Sequence, residues 1–419
     1  MTDVTAATPT GMDAAPTLEE FEAARARVAA IIDRTPMQTS RSIAEVLGSP
    51  VHLKCENLQR TGSYKIRGAY NRLSRLSDDE RARGVVAASA GNHAQGVAFA
   101  ARELGIRATI FMPVGVALPK LQATRGYGAD VQLVGDIFDE TNRAAIDFAA
   151  ATGAVFIPPF DHPDVVAGQG TLGLEIYEEV PEADTVVVPV GGGGLAAGLA
   201  AAIKRRAAVD GRTVRVVGVQ AANAAAFPAA LVAGEPVTAA IAPTIADGIA
   251  VARPGDLTFS IIREAVDEIV TVSDDETARG MLVLLERAKL VVEPAGAVGV
   301  AAILSGAVHD SGRTVVVLSG GNIDPLVMER VISRGLAASK RYLKVTIPLP
   351  DRPGQLARIA DIIAGANANV VEVLHTRHGV DLQISEVAIE IHMETRGAEH
   401  AELVLSRLRA AGYEPRVDL

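Results

Sequence analysis

The sequence predicts an α/β fold whose main part is a parallel sheet covered on both faces, followed by a small α+β unit. Three observations predict it. From Val85 onward, short apolar runs alternate with helical stretches, the pattern of strand–helix–strand crossovers. Several of these runs end in glycine or small polar residues, at 89–96, 191–194 and 319–324, and ligands in such sheets sit beyond the C-terminal ends of the strands. Near Lys340 the composition turns basic in RGLAASKR, and a new strand–turn–helix–strand pattern begins.

The elements follow in order. Residues 1–16 are small, polar and slightly acidic, which predicts a disordered leader without the basic and apolar regions of an export signal. Thr17, with Glu20 three residues on, makes a capping box for a helix through FEAARARVAAIID. A short helix SIAEVLG and the strand VHLKC come next. VVAAS then precedes the helix HAQGVAFAARELG, ATIFMP precedes LPKLQATRGYG, and VQLV precedes a helix around Glu140 to Ala150. AVFIP, VVVPV, VRVVGV and TVVVLS continue the series of strands. The predicted domains are therefore 17–338 and, after a linker, 339–419. The second reads as a βαββαβ plan, an antiparallel sheet with two helices on one face and edges suited to pairing with another copy.

At 419 residues the chain exceeds one ordinary core. Its 40 Lys and Arg against 50 Asp and Glu argue against nucleic acid or an anionic membrane as a partner. Lys204-Arg205-Arg206 reads as a solvated helix end. The single cysteine, Cys55, excludes an intramolecular disulfide and fits a reducing cytoplasm, and its place at the end of VHLKC predicts a small half-buried thiol. No apolar window is long enough for a membrane span.

The stretch Val186–Gly198, VVVPVGGGGLAAG, joins a buried strand to a helix through four glycines. Backbone without Cβ atoms, at the positive end of a helix, makes an anion site, and four consecutive glycines exceed what a turn needs. A bound phosphate is predicted. Gly191, Gly193 and Ala196 fit a loose dinucleotide pattern, but the next strand ends at Gln220 where an acidic residue is expected, and no GK[ST] ending is present. The kind of phosphate stays open on these residues alone.

Thr61–Tyr70, TGSYKIRGAY, places Lys65 between a glycine-containing turn and a helix, a position also common for a surface lysine. Taken together, TGSYKIRG, SAGNHAQG, VGGGGLAAG and LSGGN resemble the fold type II (tryptophan synthase β-like) pyridoxal phosphate enzymes, most closely the threonine ammonia-lyase and serine racemase branch. The resemblance covers roughly residues 17 to 338. It implies a two-lobed parallel-sheet domain, with a smaller lobe of approximately 56–160 inserted in the larger.

The resemblance also implies roles. Lys65 would be the Schiff-base lysine and the catalytic residue, flanked by Ser63 and by Tyr64, which packs over one side of the cofactor ring. Asn92 would hold the ring hydroxyl oxygen, and Gly191, Gly192, Gly193, Gly194 and Leu195 the phosphate. Ser319 would face the pyridine nitrogen; a neutral hydroxyl there makes a weaker electron sink, which favours β-elimination. Ser89, Ala90, Gly91, Asn92 and His93 would grip the substrate carboxylate. Racemising members usually carry serine where this chain has Ala90, so a lyase is expected over a racemase. Glu293 would lie near the ring, Asp247 is either functional or a turn cap, and His93 starts a helix rather than acting as a base. The segment QAANAAA, where several relatives hold a divalent cation with acidic side chains, offers no carboxylate, so no metal is expected.

The last unit resembles an ACT domain through LPDRPGQL and the later GANANV. Asp351, Pro353 and Gly354 are its candidate regulatory residues, with isoleucine or valine as the effector; a purely dimerising unit is the alternative. The implied protein is a cytoplasmic homo-oligomer, a tetramer or a dimer. It would convert L-threonine to 2-oxobutanoate and ammonia, in isoleucine synthesis or catabolism, with serine as a slower substrate. Rival readings are a serine or 3-hydroxyaspartate ammonia-lyase of the same fold, and a non-catalytic amino-acid sensor.

Overall fold

The computed structural model describes residues 11–377 and 385–417. The chain divides into two compact units, Met1–Val327 and Met328–Leu419, the division falling inside the helix Pro325–Ala338. Residues 1–10 of the expected leader and 382–384 of the expected strand LQISEVAIEIHME lie outside the described residues.

The strands of the first unit are β1 (Met37–Thr39), β2 (Val51–Lys54), β3 (Val85–Ala88), β4 (Ala108–Met112), β5 (Asp130–Leu133), β6 (Val155–Phe156), β7 (Thr185–Pro189), β8 (Arg215–Ala221), β9 (Glu268–Val272) and β10 (Thr314–Val317). They form two sheets. One is the all-parallel β5-β4-β3-β6, and the other is β1-β2-β10-β7-β8-β9, parallel except where β1 runs against β2. All five residues of β7 are buried, which explains why that strand reads as one unbroken apolar run. Strand β9, EIVTV, carries no such signal because it is a half-exposed edge.

The helices Pro163–Glu179 and Gly194–Val209 meet at backbone distance. A Cβ on Gly198 would stand 2.3 Å from the Val166 carbonyl oxygen, so only glycine allows this approach. Beneath the helix that starts at Lys65 lies a buried ion network. Arg67 contacts Glu56 at 2.8 Å and Glu175 at 2.6 Å, and Lys54 contacts Glu175 at 3.1 Å and Glu179 at 3.0 Å. Arg67, Glu56 and Lys54 have no exposed side-chain surface, so each charge depends on its partners.

Three expectations are corrected. The leader is ordered from Gly11, not from residue 17: the Met12 N–H donates to Glu264 at 2.8 Å, and Arg205 donates to the carbonyls of Met12 at 2.6 Å and Ala15 at 3.2 Å. The basic run is therefore not simply solvated, since Lys204 also pairs with Asp267 and Arg206 with Asp210. Cys55 is fully buried, not half-buried, and burial pushes its thiol up to about 11.

In the second unit the strands are β11 (Tyr342–Pro350), β12 (Asn369–Thr376), β13 (Glu386–Glu394) and β14 (Arg416–Val417), in the antiparallel order β12-β13-β11-β14. Leu343, Val345, Ile347 and Leu349 alternate inward and share one core with Ile359 and Ile363 of the helix Gln355–Gly365 and Val404 and Leu408 of the helix Ala398–Ala410. That is the βαββαβ plan with both helices on one face. Among the described residues no helix is long and apolar enough to cross a membrane.

Candidate active site

The glycine run sits at the C-terminal end of β7, and the helix Gly194–Val209 starts from Gly193 at φ 102°, a left-handed value that favours glycine. Among the described residues the backbone N–H groups from Gly191 to Ala196 have no acceptor. The loop is held from behind. Thr258 Oγ1 donates to the Gly192 carbonyl at 2.6 Å, and the Asp161 carboxylate takes the N–H groups of Asp256 at 3.0 Å and Thr258 at 3.1 Å. A Cβ on Gly192 would fall 2.3 Å from the Phe160 ring. Packing thus demands glycine here independently of any ligand, while the free N–H groups at a helix N-terminus can hold a phosphate.

Lys65 begins the helix Lys65–Ser74, and its Nζ donates to the Pro159 carbonyl at 3.1 Å. Burial pushes its ammonium down to about 8, against the opposing pull of Glu293. The preceding residues are stitched to the far end of the domain: the Tyr64 N–H donates to the Ser319 carbonyl at 3.1 Å, and Ser63 pairs with Gly320. Among the described residues the Ser63 hydroxyl is buried with no partner, and Ser319 and Leu195 are buried as well. Burial, then Glu293, pushes the Tyr64 phenol up.

The SAGNH loop follows β3. Ser89 Oγ accepts the Gly91 N–H at 3.1 Å, while the N–H groups of Ala90, Asn92 and His93 have no acceptor among the described residues. Asn92 Nδ2 donates to Glu293 Oε1 at 2.6 Å, and Asn92 Oδ1 accepts from Asn322 Nδ2 at 2.9 Å. Burial, and then the Asp247 charge, raises the Glu293 carboxyl to about 7. The His93 ring points elsewhere, with Nε2 at 2.9 Å from the Ile157 carbonyl. Burial and Lys65 push it down to about 3, so the ring is neutral; a carbonyl only accepts, which puts the proton on Nε2.

A cavity of about 300 Å³ opens beside these groups, with Ala90, Glu293 and Asn322 on its wall. Lys120 and Asp247 also line it and pair at 3.1 Å. Asp247 begins the turn Asp247–Ile249, and its carboxylate accepts from Lys120 Nζ at 3.1 Å. Asn322 was inside the LSGGN motif but was not singled out by sequence reasoning. Lys120, Pro159, Phe160 and Thr258 carried no sequence signal at all. Gln220 is structural: it is buried, donates to the Val190 carbonyl at 3.3 Å and accepts the Phe227 N–H at 3.0 Å. Among the described residues no group of three or more His, Cys, Asp or Glu is arranged to hold a metal ion. In the second unit Gly354, at φ 86°, starts the helix Gln355–Gly365, and Arg377 donates to Asp351 at 3.3 Å.

The chain is similar to known proteins over most of its length. The chain is 47% identical to an L-threonine ammonia-lyase of Thermotoga maritima, over 96% of this chain and 99% of that one. It is also 47% identical to the catabolic L-threonine dehydratase TdcB of Escherichia coli K12, over 73% of this chain and 93% of that one. A solved maize serine racemase superposes with a TM-score of 0.71 at 35% identity, covering 77% of this chain and 98% of that one. Residues 28–320 match the family described as pyridoxal-phosphate dependent enzyme. With the lysine, the glycine loop and the asparagine brought together within that span, the chain belongs to the pyridoxal-phosphate dependent enzyme family.

Proposed function

We propose that this protein deaminates L-threonine, eliminating water and then ammonia to give 2-oxobutanoate, with pyridoxal phosphate as cofactor. The observation that carries the reading is Lys65, a shielded amine held down to about 8 beside two sets of unpartnered N–H groups, in a chain matched nearly end to end by an L-threonine ammonia-lyase. The residues fit the cofactor. The N–H groups from Gly191 to Ala196, without acceptors among the described residues, lead into a helix N-terminus and suit a phosphate, and the Ser63 hydroxyl, orphaned among the same residues, needs a partner next to Lys65. When bound, pyridoxal phosphate supplies a carbonyl for amines and an electron sink that acidifies the hydrogen on the substrate Cα.

The reading gives each side chain a task. Gly191 to Gly194 and Leu195 would hold the phosphate, Tyr64 would pack against the ring, Ser319 would serve the pyridine nitrogen, and Asn92 would hold the ring hydroxyl oxygen. Glu293 and Asn322 fix the orientation of the Asn92 amide. The N–H groups of Ala90, Asn92 and His93 receive the α-carboxylate, with Ser89 bracing Gly91 between them. Lys65 Nζ takes the Cα proton, the β-hydroxyl leaves with a proton as water, and the resulting enamine hydrolyses to 2-oxobutanoate and ammonia. Serine would react in the same way to give pyruvate. The maize relative raises racemisation as a second reading, but Ala90 on the cavity wall has no hydroxyl with which to return a proton.

The finer reading is a cytoplasmic homo-oligomer whose second unit binds isoleucine or valine near Asp351, Pro353 and Gly354. The Escherichia coli relative supports a division of labour, since 73% of this chain accounts for 93% of that dehydratase. The test is a panel of threonine, serine and 3-hydroxyaspartate, run with and without isoleucine and valine, on the full chain and on a chain lacking residues 341–419. Threonine preference in both, with the effector response confined to the full chain, is the expected result. Absence of threonine turnover would sink the activity, and an unchanged response in the shortened chain would move the effector site elsewhere.

A further inference from the structure

The cavity beside Ala90 is lined with acids. Its wall carries four acidic side chains, Asp136, Asp247, Asp324 and the enclosed Glu293, against one basic one, Lys120. The Lys120 side chain is only 19% exposed, and its Nζ already contacts Asp247 Oδ2 at 3.1 Å. It also stands against the SAGNH loop, since a Cβ on Gly91 would lie 3.8 Å from that Nζ. Lys120 belongs to the helix Leu118–Gly126 between two strands of the smaller sheet, whereas Asp247 follows β8 of the larger one. The pair therefore spans the two halves of the unit across the cavity.

We infer that the Lys120–Asp247 pair is a specificity filter, which admits amino acids with an uncharged β-hydroxy side chain and rejects those with a second carboxylate, such as 3-hydroxyaspartate. The inference rests on the proposed activity, in which the backbone N–H groups of the SAGNH loop receive the α-carboxylate. A second carboxylate would have to shed water beside the carboxylates of Asp136, Asp247 and Asp324, and the cation on this wall, Lys120, is already paired with Asp247. Rejection thus comes from a repulsive wall and an occupied cation, without any contact to the favoured side chain. Removing the Asp247 charge frees Lys120 to hold an acidic side chain.

The test compares kcat/KM for L-threonine and L-threo-3-hydroxyaspartate in the wild-type holoenzyme, Asp247→Asn, and Asp247→Asn with Lys120→Gln. Asp247→Asn is expected to raise the hydroxyaspartate-to-threonine ratio by about tenfold or more, and the second substitution to return it towards wild type. An unmoved ratio, or an equal rise in the double variant, overturns the filter. A companion measurement needs no variant: L-aspartate should inhibit wild-type threonine turnover at least about tenfold more weakly than L-2-aminobutyrate, and equal inhibition overturns the filter as well. Wild-type protein inactive on threonine would overturn the functional reading itself, whereas threonine turnover with an unmoved ratio overturns the filter alone.

Discussion

Asn92 Nδ2 donates to Glu293 Oε1 at 2.6 Å, joining the start of one helix to the residue that precedes another 201 positions later. The contact is close enough that a Cβ on Gly320 would fall 2.2 Å from the same Glu293 oxygen. A carboxyl this enclosed carries a pH dependence with a definite sign. The folded value of about 7 lies above the ordinary 4.5, so the folded protein holds the proton more tightly. The stability this group contributes is complete below about 4.5 and is lost as pH rises through about 7. His93 acts oppositely: its folded value of about 3, below 6.5, contributes stability above 6.5 that is lost as pH falls towards 3.

Glu293→Gln should therefore remove one part of the profile and leave the His93 part. Urea unfolding of the cofactor-free protein at pH 5 and pH 8 is the measurement. The stability difference between the two pH values should change by up to about 3 kcal/mol in favour of pH 8. The same difference in variant and wild type would count against an enclosed, proton-holding Glu293.

Lys65→Ala should abolish both the yellow colour of the bound cofactor and turnover, with a loss of more than about a thousandfold in kcat. Because the folded amine has a value of about 8, cofactor uptake by the emptied wild-type protein should accelerate as pH rises from 7 to 9. A coloured, active Lys65→Ala protein would end this mechanism.

Gly192→Ala should weaken cofactor affinity by about tenfold or more, because the new methyl meets the Phe160 ring at 2.3 Å and displaces the loop. Gly126→Ala is the control, since a Cβ there has open space and its backbone is not left-handed. Fluorescence titration with pyridoxal phosphate reads both; equal affinities in the two variants would contradict the packed loop.

Arg67→Met leaves Glu56 and Glu175 buried without their shared cation and should cost about 3–5 kcal/mol in urea unfolding. Adding Glu56→Gln and Glu175→Gln should recover much of that loss. A single variant as stable as wild type would show that the network is dispensable.

Much of this protein was legible in the chain. Thr17 and Glu20 form the predicted capping box, VVVPVGGGGLAAG folds as strand, turn and helix, and the last unit has the predicted βαββαβ order. These features depend on spacings of a few residues, where backbone geometry and hydrophobic period act directly. The quoted segments TGSYK and LSGGN also meet in space, as Tyr64 and Ser319 show.

The remainder was decided by tertiary packing. Lys120 faces Asp247, Asn322 turns the Asn92 amide, Thr258 holds Gly192 and Phe160 fills the space behind it, all between residues far apart in the chain. No local pattern encodes such pairs. Each side chain is ordinary in its own segment, and its partner is fixed only when two sheets and the helices between them settle into one close-packed arrangement. The sequence by itself determined which strand ends could carry a ligand; the tertiary structure decided which charges face it, because a charge's effect depends on distance and burial.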